Sequence, residues 1–187
     1  CFAPSYANLY MGWWEEQIAW SGNNEKWMNR VLLWTRFIDD LFVIWDGSQE
    51  EAEDFVRNLD NPSLNLEFVS KISPLSVEFL DIRVEVKANK LETKLFRKET
   101  AGNSILHATS SHPPCLVNSI PYGEFIRAKR ICSDPKEFAR EKINMTKRFK
   151  MRGYSPRVIE NAGDKALKRD RKELIFHKTQ KGEENQG

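Results

Sequence analysis

The chain of 187 residues is predicted to adopt an α+β fold, on three observations. Short runs in the first half alternate apolar and polar residues, as in Val77-Glu78-Phe79-Leu80-Asp81-Ile82-Arg83-Val84-Glu85-Val86, and a period of two marks strands with one buried face. Tight turn signals such as Lys87-Ala88-Asn89-Lys90 join such runs, so the sheet is antiparallel. Beyond residue 106 helix-entry signals replace the alternation, so the order of elements calls for a sheet with helices on one face followed by an all-helical region. The expected division is 1–106, 107–176 and a disordered tail, 177–187.

Each element follows from local pattern. From Pro4 to Trp20, Ala7, Tyr10, Met11, Trp14 and Ile18 recur at helical spacing, and Ser21-Gly22-Asn23-Asn24 ends the helix. Val31-Leu32-Leu33-Trp34 and Leu41-Phe42-Val43-Ile44-Trp45 then form a hairpin around an acidic turn. Ser48-Gln49-Glu50-Glu51 is a capping box, because Ser48 can accept from the third amide while Glu51 reaches back, and Ala52, Phe55, Val56 and Leu59 mark the buried face of the helix it opens. Asn61-Pro62 stops that helix, Leu64 to Ile72 reads as a strand, and residues 77–86 pair with Leu91 to Arg97. Three helices are expected to start near Pro121, Pro135 and Pro156, the last two behind Asp134 and Ser155 as N-caps. Arg152-Gly153-Tyr154 is the short turn between the second and third, which is the outline of a helix-turn-helix.

Net charge is only +2, yet residues 1–123 carry 11 basic and 17 acidic side chains while residues 124–181 carry 18 basic and 8 acidic ones. A surface so biased suits a phosphate backbone, through counterion release that needs no base reading. Arg127, Lys129 and Arg130 form one basic cluster and Lys147, Arg148, Lys150 and Arg152 a second, both expected to contact phosphates. Three scattered cysteines, Cys1, Cys115 and Cys132, argue against a disulfide framework, and their spacing with His107 and His112 matches no common zinc finger. Arg36, Asp39 and Asp40 interrupt the longest apolar stretch before it reaches the roughly 18 residues of a membrane span. The chain is expected to be soluble and intracellular, with the nucleus as its compartment. Because it opens at Cys1 without Met or a signal sequence, it reads as a piece of a longer protein.

The sharpest chemical signal is Phe37-Ile38-Asp39-Asp40. Two adjacent carboxylates at the tip of an apolar hairpin call for a cation, and Mg²⁺ takes few protein carboxylates, leaving positions for water and phosphate. With Ala3-Pro4-Ser5-Tyr6-Ala7-Asn8-Leu9-Tyr10-Met11, Glu78-Phe79-Leu80-Asp81-Ile82, Ser111-His112-Pro113, Ser119-Ile120-Pro121 and Arg127 to Cys132 in the right order, the chain from Cys1 to about Ala166 resembles the reverse transcriptases of Penelope-like retroelements, which are transposable elements.

That resemblance implies a partial palm over 1–106 and a thumb-like or helix-turn-helix-like region over 107–176. Ala3, Pro4 and Ser5 match the family's motif B, which contacts nucleotide and template; Asp39 and Asp40, with Phe37 beside them, match motif C, whose carboxylates hold Mg²⁺; the hairpin ending at Arg97 matches a primer grip. An RNA template, a DNA primer and a deoxynucleoside triphosphate are the partners it implies. The family's motif A, source of another catalytic Asp, precedes motif B and lies outside these residues, so this fragment of an RNA-directed DNA polymerase, a nucleotidyltransferase, is expected to be inactive alone. A rival expectation is a helix-turn-helix nucleic-acid-binding module over about 121–176 with a decayed, non-catalytic palm remnant.

Overall fold

The computed structural model describes residues 2–98, 100 and 102–176. Cys1 and the expected tail, 177–187, lie outside the described residues. The fold is α+β, with two small antiparallel sheets and a helical C-terminal region. Packing divides the chain between Leu80 and Asp81, so the hairpin expected to end the first region groups with the helices. No helix among the described residues is long and apolar enough to cross a membrane.

In the first unit, α1 (Ala3–Trp14) runs into a π-helical turn, Glu15–Ala19, and a 3-10 helix, Gly22–Arg30, follows. The single helix expected from Pro4 to Trp20 therefore changes pitch after Trp14. Strands β1 (Val31–Phe37) and β2 (Asp40–Trp45) pair antiparallel, with a bulge between Val31 and Leu33. Strict alternation would send Val31 and Trp34 to opposite faces, because they are an odd number of residues apart. The extra residue resets the phase, so that Val31, Trp34 and Arg36 all turn partly inward while Leu32 and Phe37 stay exposed. Helix α2 (Gln49–Leu59) starts at the expected capping box: Ser48 Oγ accepts from the Glu51 amide at 3.1 Å, and the Ser48 amide donates to Glu51 Oε2 at 3.0 Å.

The core of this unit joins Met11, Trp14, Ala19, Phe55 and Leu59. Trp14 is fully buried and stacks on Phe68 at 4.9 Å, and Trp45 stacks on Phe55 at 5.2 Å. Packing thus claims Trp14, Trp34 and Trp45, while Trp13 remains half exposed.

Two strand expectations fail for backbone reasons. Residues 64–72 form no strand: Asn61 bridges Leu66, Asn65 has φ 53°, and Asp60 Oδ1 accepts from the Phe68 amide at 2.7 Å. A left-handed residue after a 3-10 turn (Pro62–Leu64) breaks the extended run before it can pair. The run 77–86 is interrupted at Leu80, where φ is 54°, leaving β3 (Ser76–Phe79) and β4 (Ile82–Lys87).

In the second unit β4 pairs with β5 (Lys90–Leu95) across Ala88-Asn89. Both turn residues have positive φ, 47° and 59°, as a type I′ hairpin demands. The far edge of β5 is occupied: the Thr93 amide donates to Ser133 Oγ at 2.9 Å, and the Ser133 amide donates to the Thr93 carbonyl at 2.9 Å. Four helices follow, α3 (Pro114–Ile131), α4 (Pro135–Met151), α5 (Pro156–Leu167) and α6 (Arg171–Ile175). Pro121, expected to start a helix, lies inside α3, which begins instead behind Pro113. Burial of Pro121, Phe125 and Ala128 on one face holds the helix through a residue that cannot donate to the carbonyl of Val117. Phe125, Met145, Phe149 and Ile159 fill the core, with Phe149 edge-on to both Phe125 and Tyr154 at 5.5 Å.

Candidate nucleic-acid interface

The hairpin tip comes first. Register pairs Phe37 with Asp40, so Ile38 and Asp39 form a two-residue turn and Asp40 opens β2. Ile38 has φ 58°. A β-branched side chain there is strained by about 1–2 kcal/mol, and such strain persists only where neighbours enforce it. Arg36 does so: its guanidinium donates to the Ile38 carbonyl at 2.7 Å and to Asn8 Oδ1 at 2.9 Å, and pairs with Glu15 at 3.0 Å. Glu15 also accepts from Trp34 Nε1 at 2.7 Å. The turn is thereby strapped to α1 and to the π-helical turn behind it.

Asp39 and Asp40 are exposed, and neither makes a side-chain hydrogen bond or ion pair among the described residues. No third His, Cys, Asp or Glu joins them in a metal-sized group among those residues. Hard carboxylate oxygens fit Mg²⁺ in kind, and two of them supply part of a site. Ala3, Pro4 and Ser5 form the exposed first turn of α1, and Phe37 is 55% exposed.

In the helical unit the two basic clusters break up into different roles. Arg127 pairs with Asp81 and, at 3.9 Å, with Glu124, while Lys129 lies over the Phe138 ring at 5.0 Å and Arg130 is exposed. Asp81 is thus the anchor of α3 through Arg127. Arg148 turns inward, its guanidinium donating to Asn103 Oδ1 at 3.4 Å and to the Gly102 carbonyl at 3.3 Å. Burial, then the nearby Arg97 charge, holds its pKa below the ordinary arginine range. The Arg152 carbonyl accepts from the Ala108 amide at 2.8 Å. Lys147 and Lys150 are exposed on α4.

The α4–α5 connection is a tight turn. Gly153 has φ 78°, and a Cβ there would meet His107 Cε1 at 3.2 Å, so glycine is needed both for the conformation and for the space. Asp134 caps α4 by accepting from the Lys136 amide at 2.8 Å, and Ser155 caps α5 by accepting from the Val158 amide at 3.4 Å. Tyr154 is buried beside Phe149, and burial pushes its phenol above the usual value. Ile105, Leu106 and Ala108 pack on the same core, which makes the segment before α3 a buttress for the turn.

Sequence reasoning missed Arg36, Glu15 and the Asp81 anchor. An arginine at an inward position of an alternating strand was the available signal for the first. No curated protein and no solved structure matches the chain. Residues 104–163, the stretch from the buttressing segment through α3 and α4 into α5, match the family model of an animal helix-turn-helix domain.

Proposed function

We propose that this chain binds nucleic acid through the helical region. The match of residues 104–163 to a helix-turn-helix model carries this reading. Supporting it, Gly153 sits in the short turn between two capped helices, and cations dominate the sequence from residue 124 onward. Fluorescence anisotropy of a labelled duplex with the whole chain tests it. Binding that weakens steeply with salt is the expected result, and no binding at low salt overturns it.

A second, finer reading is favoured by the strained, strapped turn carrying Asp39 and Asp40. In it the chain is part of a reverse transcriptase resembling those of Penelope-like retroelements, with the helices as a thumb gripping an RNA–DNA duplex. Asp39 and Asp40 would hold Mg²⁺, which would supply positive charge to activate a primer hydroxyl and neutralise the pyrophosphate leaving group. Ala3, Pro4, Ser5 and Phe37 would border nucleotide and template. With two carboxylates only, the chain by itself is proposed to be inactive. In a longer protein carrying the upstream polymerase segment, Asp39→Asn or Asp40→Asn should abolish deoxynucleotide incorporation on an RNA template; full incorporation by both variants would sink this reading.

A further inference from the structure

We infer that the nucleic-acid contact is made by the outer face of α4, gripping the phosphate backbone of a duplex, rather than by α5, the helix after the turn. This rests on the nucleic-acid reading above and adds where and how the duplex is held.

On α4 the exposed residues Lys136, Arg140, Ile143, Lys147 and Lys150 are spaced by four, three, four and three positions. At 100° per residue all five fall within a stripe about 80° wide, along about 21 Å of helix. Both α4 carboxylates lie off this stripe: Glu137 is beside it and pairs with Arg140, and Glu141 is turned inward against Arg97. Lys136, Lys147 and Lys150 make no side-chain hydrogen bond or ion pair among the described residues. Lys142, Ile143, Thr146, Lys147 and Lys150 also line a shallow groove on this helix. A row in which three lysines have no carboxylate partner among the described residues suits the evenly spaced charges of a phosphate backbone, because each neutralised phosphate releases condensed counterions.

The exposed face of α5 differs. Arg157, Asn161 and Lys165, with Lys168 at the C-cap, share it with Glu160 and Asp164, and Asp164 lies within about 20° of Arg157 in angular position. Among the described residues only Asp164 of these is engaged, with Lys142 at 3.4 Å. Setting this helix into a groove would bring two carboxylates toward phosphates. Like charges so placed oppose docking.

The test uses the whole chain and a labelled random-sequence DNA duplex, with affinity measured across a salt series. Lys147→Ala with Lys150→Ala should weaken binding roughly 50-fold at about 0.1 M salt and reduce the salt slope by about two. Lys147→Arg with Lys150→Arg should keep both affinity and slope, which separates lost charge from lost fold. Arg157→Ala with Asn161→Ala should leave affinity within about twofold, since phosphate contacts dominate. If the α5 pair abolishes binding and the α4 pair does not, the α4 assignment is overturned while the nucleic-acid reading stands. If the unmodified chain binds no duplex, or binds only vesicles containing phosphatidylserine, that reading itself fails and takes the assignment with it.

Discussion

Replacing Arg36 by alanine probes the strap that holds the Asp39-Asp40 turn. Its guanidinium serves three acceptors at 2.7, 2.9 and 3.0 Å, and its side chain and that of Glu15 are 11% and 19% exposed. Hydrogen bonds to a charged group contribute about 1.5–3 kcal/mol each, but Asn8 is exposed and can turn to water, so the contributions do not sum. Truncation also leaves the Glu15 carboxylate with Trp34 Nε1 as its remaining donor partner. The expected loss is about 3 kcal/mol, at the lower end for an ion pair broken on one side. All six tryptophans lie between Trp13 and Trp45, so their fluorescence reports the first unit alone. With a urea slope of about 1 kcal/mol/M for so small a unit, the fluorescence midpoint should fall by about 3 M. Glu15→Gln combined with Arg36→Ala should be milder than the two losses added, with a coupling of about 1–2 kcal/mol. A midpoint shift below about 0.5 M, or strict additivity, would refute the claim that Arg36 enforces the turn.

Other outcomes follow from backbone and charge. Ile38→Gly should raise the fluorescence midpoint, since relief of a β-branched residue at φ 58° recovers about 1 kcal/mol; an unchanged or lowered midpoint would mean the side chain's packing outweighs the strain. Gly153→Ala should destabilise the helical unit by about 1–2 kcal/mol, seen as a lower melting temperature in far-ultraviolet circular dichroism, because the position is left-handed and faces His107. Ser155→Ala should cost about 1 kcal/mol in the same assay through loss of the α5 cap. Glu85 lies opposite Glu92 and is held below the ordinary carboxylate range by Lys94, with further help from Lys87. A depressed folded pKa means a contribution complete above the unfolded value and lost as pH falls through the folded one. Melting curves taken from neutral to acid pH should therefore slope less for Glu85→Gln than for the unmodified chain; equal slopes would remove Glu85 from the acid response.

What the sequence could disclose was whatever depends on near neighbours. The Ser48–Glu51 capping box and the Asp134 and Ser155 caps sit as read, because a cap involves residues two or three apart. The Gly153 turn was legible for the same reason, since a left-handed glycine carries its geometry in its own residue, whereas the Ile38-Asp39 loop was legible only as an acidic break between two apolar runs, its strained Ile38 being held by Arg36 from outside the loop. A longer reach defeated the pattern. Pro121 signals a helix start by itself, and the packing of its whole face in the second core keeps it inside α3. Residues 77–86 are extended on both sides of Leu80, as read, but as two strands, since no periodicity reveals the left-handed backbone at Leu80.

By itself, then, the sequence determined the fold class, the caps, the acidic turn and the basic bias of the second half, since composition and short-range chemistry suffice for these. Tertiary structure alone decided which charges are free. Arg127, Lys129 and Arg148 are spoken for by Asp81, the Phe138 ring, and the Gly102 carbonyl with the Asn103 side chain, while Lys147 and Lys150 are left to solvent. The physical reason is that a cation's availability depends on partners on other elements, as far as 46 residues away for Arg127 and Arg148, brought near only when the core closes.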